Sequence, residues 1–186
     1  MSLCINRLFI FSCLLFILIP CIVHSGNDSS GVKVNSGDTL IAGVPFIKQT
    51  DNKYCGPAAL ATVMEYYGEK SDQQVIAKSV YTPELDGSLI SDMRNYASEH
   101  GYVSTTKSSN AAELQNVIND KKPVIILIDR GKWKVSIPHY YVVYGYNDSE
   151  KVFIINDGIS RARRISYGKL EHEWKKMNNM MLVISK

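Results

Sequence analysis

The stretch Tyr54-Cys55-Gly56-Pro57-Ala58-Ala59-Leu60 places a cysteine at the predicted start of a helix. The helix is expected to run from Cys55 to Tyr67 and to end at Gly68, which suits a left-handed cap. Backbone N–H groups at a helix N-terminus are unpaired and the dipole is positive there, so the position favours a thiolate. The stretch therefore predicts that Cys55 is a nucleophile.

The other three cysteines, Cys4, Cys13 and Cys21, lie in or beside an apolar N-terminal segment. Arg7 precedes the apolar run, so residues 1–25 are predicted to be a signal peptide cleaved after Ser25. Two alternatives stay open: a lipoprotein signal that ends at residue 20 and leaves Cys21 lipidated, and an uncleaved membrane anchor. Exported proteins usually pair or avoid cysteines. An unpaired Cys55 in a periplasmic or extracellular protein therefore needs a chemical explanation.

The remaining chain is predicted to be a polar, flexible tether over residues 26–37 and one domain over residues 38–186. After the predicted signal there are 20 Lys and Arg against 18 Asp and Glu. This balance, with no long basic run, argues against a nucleic-acid partner. We find no metal-binding constellation and no phosphate-binding glycine loop, and we expect no cofactor.

Helical spacing dominates the first half of the chain and apolar strands dominate the second half, which favours an α+β domain. The predicted helices after the first run from Ser71 to Val80, from Leu89 to just before Gly101, from Asn110 to Asn119 and from Tyr167 to Met177. The predicted strands are Pro123–Ile128, His139–Tyr146, Lys151–Asp157, Arg161–Ser166 and Met180–Ile184.

A cysteine nucleophile needs a general base. His100 ends a helix and His172 lies between two glutamates, so both are interpreted as structural or solvated. His139 follows Pro138 and opens an apolar strand, where a polar side chain needs a reason. His139 is therefore the predicted base.

The hairpin that follows His139 offers two residues to orient its ring. A three-residue loop that pairs Tyr146 with Glu150 places His139 opposite Asp157. A loop of two or four residues shifts the pairing by one and makes Asn156 the diagonal neighbour. Both remain open, with Asp157 favoured because a carboxylate also stabilises an imidazolium.

Gln49, six residues before the cysteine, carries a side-chain amide that can join the backbone N–H of Cys55 in an oxyanion hole. Gln49, Cys55-Gly56-Pro57-Ala58-Ala59, His139 and Asp157, in that order, resemble the bacteriocin-processing peptidase family. Members of that family are papain-like cysteine peptidases that cleave leader peptides after a double glycine. The resemblance extends from about Val44 to Ile184.

The resemblance implies Cys55 as nucleophile, His139 as base, Asp157 as its orienter and Gln49 as oxyanion donor. It also implies a papain-like fold with N-terminal helices packed on a C-terminal antiparallel sheet. Well-known members are N-terminal domains of export transporters that face the cytoplasm, whereas this chain carries a predicted export signal and no ATP-binding motif. The fold and chemistry therefore transfer better than the substrate.

The leading expectation is a cysteine peptidase that acts outside the cytoplasm on a peptide or protein substrate, with small residues such as Gly-Gly at the cut. An acyl transferase with the same triad is an alternative. A non-catalytic peptide-binding module on the peptidase scaffold is another, with the retention of all four residues as the argument against it. Membrane attachment would follow from lipidation at Cys21 or from an uncleaved signal.

Overall fold

The computed structural model describes residues 32–186, which form five α-helices and nine β-strands. The helices are α1 (Cys55–Tyr66), α2 (Gln73–Val80), α3 (Ile90–Glu99), α4 (Ala111–Asn119) and α5 (Tyr167–Lys175). The strands are β1 (Asp38–Leu40), β2 (Tyr81–Thr82), β3 (Gly87–Ser88), β4 (Val103–Ser108), β5 (Val124–Asp129), β6 (Pro138–Asn147), β7 (Val152–Asn156), β8 (Arg163–Ser166) and β9 (Met180–Ser185). The predicted signal and Cys21 lie outside the described residues.

One antiparallel sheet organises the domain. Its strand order is β4-β9-β5-β6-β7-β8, and β1 pairs with the C-terminal part of β6, beyond the reach of β5. β2 and β3 form a separate two-stranded ribbon around a 3₁₀ turn at Pro83–Leu85. The α+β class, with helices packed on an antiparallel sheet, is confirmed.

Helices cover both faces of this sheet, which explains why its central strands are apolar throughout rather than alternating. Along β6, Tyr140 and Val142 pack on the face of α1, α2 and α3, in the buried cluster that contains Cys55. Tyr141 and Val143 point to the opposite face and pack with buried residues of α4 and α5. Successive side chains along each strand point to opposite faces, so the sheet separates two hydrophobic cores.

The β6–β7 hairpin differs from the predicted register. Asn147 pairs with Val152, so the loop has four residues. The predicted direct pairing of His139 with Asp157 is therefore wrong. A bulge at Tyr144 shifts the register by one residue, and the last pair is Val142 with Asn156. Such a bulge leaves one residue of β6 unpaired, so that side chains on the two sides of the bulge face opposite sides of the sheet relative to an unbroken strand. Asp157 therefore lies just beyond the paired part of β7.

The described part of the predicted tether, residues 32–37, contacts the domain. Val32 is buried, and the side-chain amide of Asn147 donates to the carbonyl oxygen of Ser36 at 3.0 Å and to Oδ1 of Asp38 at 2.8 Å. Arg164 binds both oxygens of the same carboxylate. The start of the domain at residue 38 stays a prediction, because residues 26–31 lie outside the structure's description.

The four strands β1 to β4 were not predicted. β4 is an edge strand with the sequence Val-Ser-Thr-Thr-Lys-Ser, and Val103 at its start is exposed. An edge strand with a polar surface gives little apolar periodicity to detect. None of the helices in residues 32–186 combines the length and apolar character needed to cross a membrane.

Candidate active site

Cys55 is the first residue of α1, as the sequence predicts. Cys55 is a free cysteine, and only 9 % of its surface is exposed. The preceding residue, Tyr54, provides no side-chain cap, so no capping side chain binds the backbone N–H groups of Cys55 and Gly56, while Pro57 has no N–H. The helix holds the thiol at the sheet face, next to the N-terminal end of β6.

The thiol of Cys55 lies against the backbone N–H of Tyr140, the residue after His139. Burial raises the pKa of Cys55, and the N–H groups of Tyr140 and Gly56 and the charge of Arg130 only partly oppose that effect. The expectation that the helix terminus favours a thiolate is therefore wrong for this resting arrangement. Desolvation outweighs the helix end because a charged sulfur loses more from burial than nearby dipoles return.

His139 is buried at the start of β6, where it pairs with Ile128. Its Nε2 donates to the backbone carbonyl oxygen of Asp157 at 2.7 Å, since a carbonyl can only accept. Its Nδ1 lies 3.0 Å from Nη2 of Arg130. A guanidinium can only donate, so Nδ1 must be the unprotonated nitrogen.

Burial lowers the pKa of His139 to about 4. The hydrogen bond to the Asp157 carbonyl and the Asp157 charge raise it, while the charges of Arg130 and Arg163 lower it further. The imidazole is therefore neutral at pH 7, with both ring nitrogens held by protein groups.

Asp157 touches the imidazole through its backbone rather than its carboxylate. The Oδ1 atom accepts from the backbone N–H of Ile159 at 3.0 Å and of Ser160 at 2.6 Å. The Oδ2 atom lies 2.8 Å from Nε of Arg163, in an ion pair without the alignment of a hydrogen bond. The carboxylate thus shapes the turn that presents the carbonyl to His139.

Asn156, the alternative orienter, uses its side chain elsewhere. Its Nδ2 donates to the carbonyl oxygen of Pro45 at 2.9 Å, and its Oδ1 accepts from the backbone N–H of Ala162 at 3.1 Å. Asn156 also lines a small cavity beside Cys55. Both of its polar atoms are therefore bound to the backbone rather than to the imidazole.

Gln49 lies against the turn that follows Asp157. Its backbone N–H donates to the carbonyl oxygen of Gly158 at 2.9 Å, and its Nε2 donates to the carbonyl oxygen of Asp51 at 3.0 Å. An amide nitrogen has two N–H donors, so one remains for a further acceptor. Gly158 has φ +81°, and a Cβ added there would lie 2.3 Å from Oε1 of Gln49.

Arg130 is the site residue that the sequence analysis missed. It follows β5, whose last residue, Asp129, pairs with Pro138 at the start of β6. That antiparallel pairing brings the residue after Asp129 beside His139. The signal in the sequence is a charged pair that ends a buried strand, but the β5–β6 register is needed to use it.

An apolar cleft opens beside Cys55. The half-buried or exposed side chains of its outer part come from the 3₁₀ turn and the start of α3, and its inner wall comes from β5 and β6. The apolar residues that line it, besides Cys55, are Leu85, Leu89, Ile90, Leu127, Pro138, Tyr140 and Met177.

The two other histidines in the described range have local roles, as interpreted from the sequence. Nδ1 of His100 lies 2.8 Å from the carbonyl oxygen of Tyr96, and the ring stacks on the Tyr96 ring. His172 is exposed on α5. Within residues 32–186, no group of three or more His, Cys, Asp and Glu side chains is arranged to hold a metal ion.

Residues 41–181 match the model of the Peptidase_C39 like family. The match covers well over half of the chain, and it contains Cys55, His139, Asp157 and Gln49. The chain therefore belongs to the Peptidase_C39 like family, in agreement with the resemblance to bacteriocin-processing peptidases.

A curated relative is the pediocin PA-1 transport/processing ATP-binding protein PedD of Pediococcus acidilactici, 24 % identical over 130 residues. The aligned part is 69 % of this chain but only 17 % of the length of PedD. The similarity thus concerns one segment of a much longer protein.

Two solved structures share the fold. The peptidase domain of Streptococcus ComA, a bi-functional ABC transporter, superposes with a TM-score of 0.61 at 23 % identity, covering 75 % of this chain and 96 % of that domain. A double glycine motif protease from an AMS/PCAT transporter, solved with its leader peptide, gives a TM-score of 0.59 at 22 % identity and covers 75 % of this chain and 89 % of that one. The fold is that of C39 peptidase domains.

Proposed function

We propose that this protein is a cysteine peptidase in which Cys55 is the nucleophile, His139 the base, Asp157 the residue that orients it and Gln49 an oxyanion donor. One observation carries the proposal. The thiol at the start of α1 lies against the peptide N–H that follows His139, and the turn that binds His139 also binds the backbone of Gln49. Membership of the C39 family supports the same assignment.

The reaction begins when the Cys55 proton passes to Nδ1 of His139. The sulfur then attacks the peptide carbonyl carbon, and the carbonyl oxygen gains negative charge beside the N–H of Cys55 and the second N–H of the Gln49 amide. His139 returns the proton to the leaving amine as the C–N bond breaks. Water hydrolyses the thioester with His139 again as base, which regenerates the thiol.

This sequence requires a change from the resting arrangement. Nδ1 is the basic nitrogen of His139, and it faces a guanidinium of Arg130 rather than the thiol. The hydrogen bond from Nε2 to the Asp157 carbonyl fixes the tautomer that the reaction needs, with the proton on Nε2 and the lone pair on Nδ1. We propose that the ring turns from Arg130 to the sulfur when substrate binds.

We propose peptides with small residues at the cut, such as Gly-Gly, as substrates. The support is analogy, because the AMS/PCAT relative is a double glycine motif protease that was solved with a leader peptide. The apolar cleft beside Cys55 would then hold apolar side chains that flank the small residues. We also propose that the protein acts outside the cytoplasm, on the basis of the predicted signal over residues 1–25.

The test compares turnover of the protein with that of its Cys55→Ala and His139→Ala variants on peptides that contain Gly-Gly or Val-Val at one position. We expect each variant to lose activity by at least about 10³-fold, because members of one catalytic unit act together. His100→Ala is the matched control and should keep its activity, since this histidine contacts Tyr96 on an exposed surface.

Product masses decide between hydrolysis and acyl transfer when an amine acceptor is added to the same assay. A carboxylic acid product supports the peptidase, and an amide of the added amine supports the transferase. Full activity in Cys55→Ala would contradict the mechanism. A preference for Val-Val over Gly-Gly would contradict the substrate while leaving the nucleophile in place.

A further inference from the structure

Arg130 has no carboxylate partner among the described residues. Its half-buried side chain donates one hydrogen bond, to Nδ1 of His139, and it enters none of the ion pairs in residues 32–186. A guanidinium has five N–H donors and is usually paired with a carboxylate or phosphate when it is partly buried. A neutral imidazole nitrogen is a weak substitute for such a partner.

The two nearby acidic residues are already bound to other groups. The carboxylate of Asp129, directly before Arg130, accepts from two backbone N–H groups and a serine hydroxyl of the loop that follows β5. The carboxylate of Asp157 binds its own turn and Arg163. Neither acid is available to Arg130 without breaking these contacts.

The position of Arg130 connects it to both reactive groups. Its charge acts on the thiol of Cys55, and its Nη2 covers the only basic nitrogen of His139. Any group that draws the guanidinium away therefore exposes the base at the same time.

We propose that Arg130 binds a carboxylate of the substrate, an acidic side chain close to the scissile bond, and that this exchange frees Nδ1 of His139. The inference rests on the proposed function, because it names a substrate feature of the same site. A carboxylate accepts two parallel N–H bonds from a guanidinium, which an imidazole cannot do. Acidic peptides should thus bind tightly and also convert the resting site to one with an accessible base.

Binding is tested with the full Cys55→Ala protein, which cannot cleave. The probes are acetylated and amidated hexapeptides around Gly-Gly that carry either Asp or Asn directly before or after the glycine pair. We expect the Asp peptide of at least one pair to bind about 10-fold more tightly than its Asn counterpart, as a charged hydrogen bond supplies. The added change Arg130→Gln should reduce this ratio to about 1.

Two further variants control for charge and geometry. Arg94→Gln removes a guanidinium that contacts the Asn95 side chain, and it should keep the Asp preference. Arg130→Lys keeps the charge but not the two-pronged geometry, so it should keep only part of the preference. Equal affinities of Asp and Asn peptides for Cys55→Ala, or the same ratio with and without Arg130, would overturn the proposal.

The ring of His139 provides a second readout that needs no turnover. Its pKa, about 4 in the resting arrangement, is followed by NMR through the Cε1–H signal. The pKa should rise by about 1 or more when Arg130→Gln removes the adjacent cation, and also when the Asp peptide binds. An unchanged pKa in both experiments would mean that Arg130 does not control the base.

These measurements separate the inference from the proposed function. If the wild-type protein cleaves no peptide, the proposed function fails, while the affinity ratio and the His139 titration still judge the role of Arg130. If the protein cleaves Asp and Asn peptides with equal kcat/KM in both wild type and Arg130→Gln, the peptidase stands and the carboxylate site falls.

Discussion

Acidification should destabilise the protein, and His139 should account for a large share of the loss. The folded structure lowers the pKa of this histidine from 6.5 to about 4, mainly because the ring is buried. Between these two values the unfolded chain binds a proton that the folded chain does not bind. The free energy of unfolding must therefore fall as the pH falls through this window, and the stabilising contribution is fully present above pH 6.5.

The magnitude follows from the two pKa values. Linkage gives a loss of about 2 kcal/mol between pH 7.5 and pH 5 and about 3 kcal/mol at pH 4. The measurement is urea unfolding, followed by far-UV circular dichroism at half-unit pH steps, for the protein and for His139→Gln. Other groups, such as Asp38, also titrate differently on folding, so the difference between the two profiles isolates the histidine.

His139→Gln will be less stable than the wild type at pH 7.5, and that offset does not test the reasoning. The test is the slope: the wild-type stability should fall toward that of the variant as the pH approaches 4. Parallel profiles across pH 7.5 to 4 would refute the argument, because they would mean that His139 titrates alike in the folded and unfolded chains.

Two further predictions follow from the site. Gly158→Ala should lower the free energy of unfolding, measured in urea, by more than Gly101→Ala does. Both glycines have φ +81°, but only a Cβ at position 158 would clash, at 2.3 Å from Oε1 of Gln49. Equal losses in the two variants would contradict this contact. Cys55 should react with iodoacetamide at pH 7.5 more slowly than a free cysteine, because burial raises its pKa, and mass mapping of the alkylated peptide in native and urea-unfolded protein checks this. Faster reaction in the native protein would show that the resting site holds a thiolate after all.

The sequence predicted the elements that hold the candidate site because those elements carry strong local signals. α1 begins at Cys55 as expected, and β5, β6 and β7 were found from their apolar runs. The helix predicted from Ser71 ends at Val80 as expected, but it begins at Gln73 and is capped by Asp72, which accepts from the Gln74 N–H. α4 follows Asn110 as expected, and Asn110 accepts from the Glu113 N–H as its cap. Local propensity and the hydrophobic pattern were sufficient where the sequence of a segment determines its own secondary structure.

The register of the β6–β7 hairpin was not predictable in the same way. The loop has four residues instead of three and starts one residue later than predicted, which displaces the pairing by three residues, and the bulge at Tyr144 moves it back by one; neither has a distinct sequence signal here. The partial cancellation of these shifts is set by packing on the two faces of the sheet. The contact of His139 with the Asp157 backbone, rather than its carboxylate, could therefore only be found from the structure.

The direction of the Cys55 pKa was mispredicted for a related reason. A helix terminus is visible in the sequence, whereas burial depends on distant segments such as β6, which covers the thiol with Tyr140. The sequence likewise gives no measure of how Arg130 approaches His139. Electrostatic effects that depend on the whole fold were the part of the site that local reasoning could not supply.

The resting site keeps both reactive groups neutral for one physical reason. Burial raises the pKa of the Cys55 thiol and lowers that of His139 to about 4, which makes the imidazolium about 3 kcal/mol harder to form than in a free histidine. A bound peptide excludes more water, so desolvation alone cannot promote the proton transfer from sulfur to nitrogen. Arg130 is the group whose departure helps: it removes a cation from the ring and opens Nδ1. Substrate chemistry that attracts Arg130 would thus decide when the site becomes reactive, and the preference for acidic peptides and the ionisation of His139 should rise and fall together across the Arg130 variants.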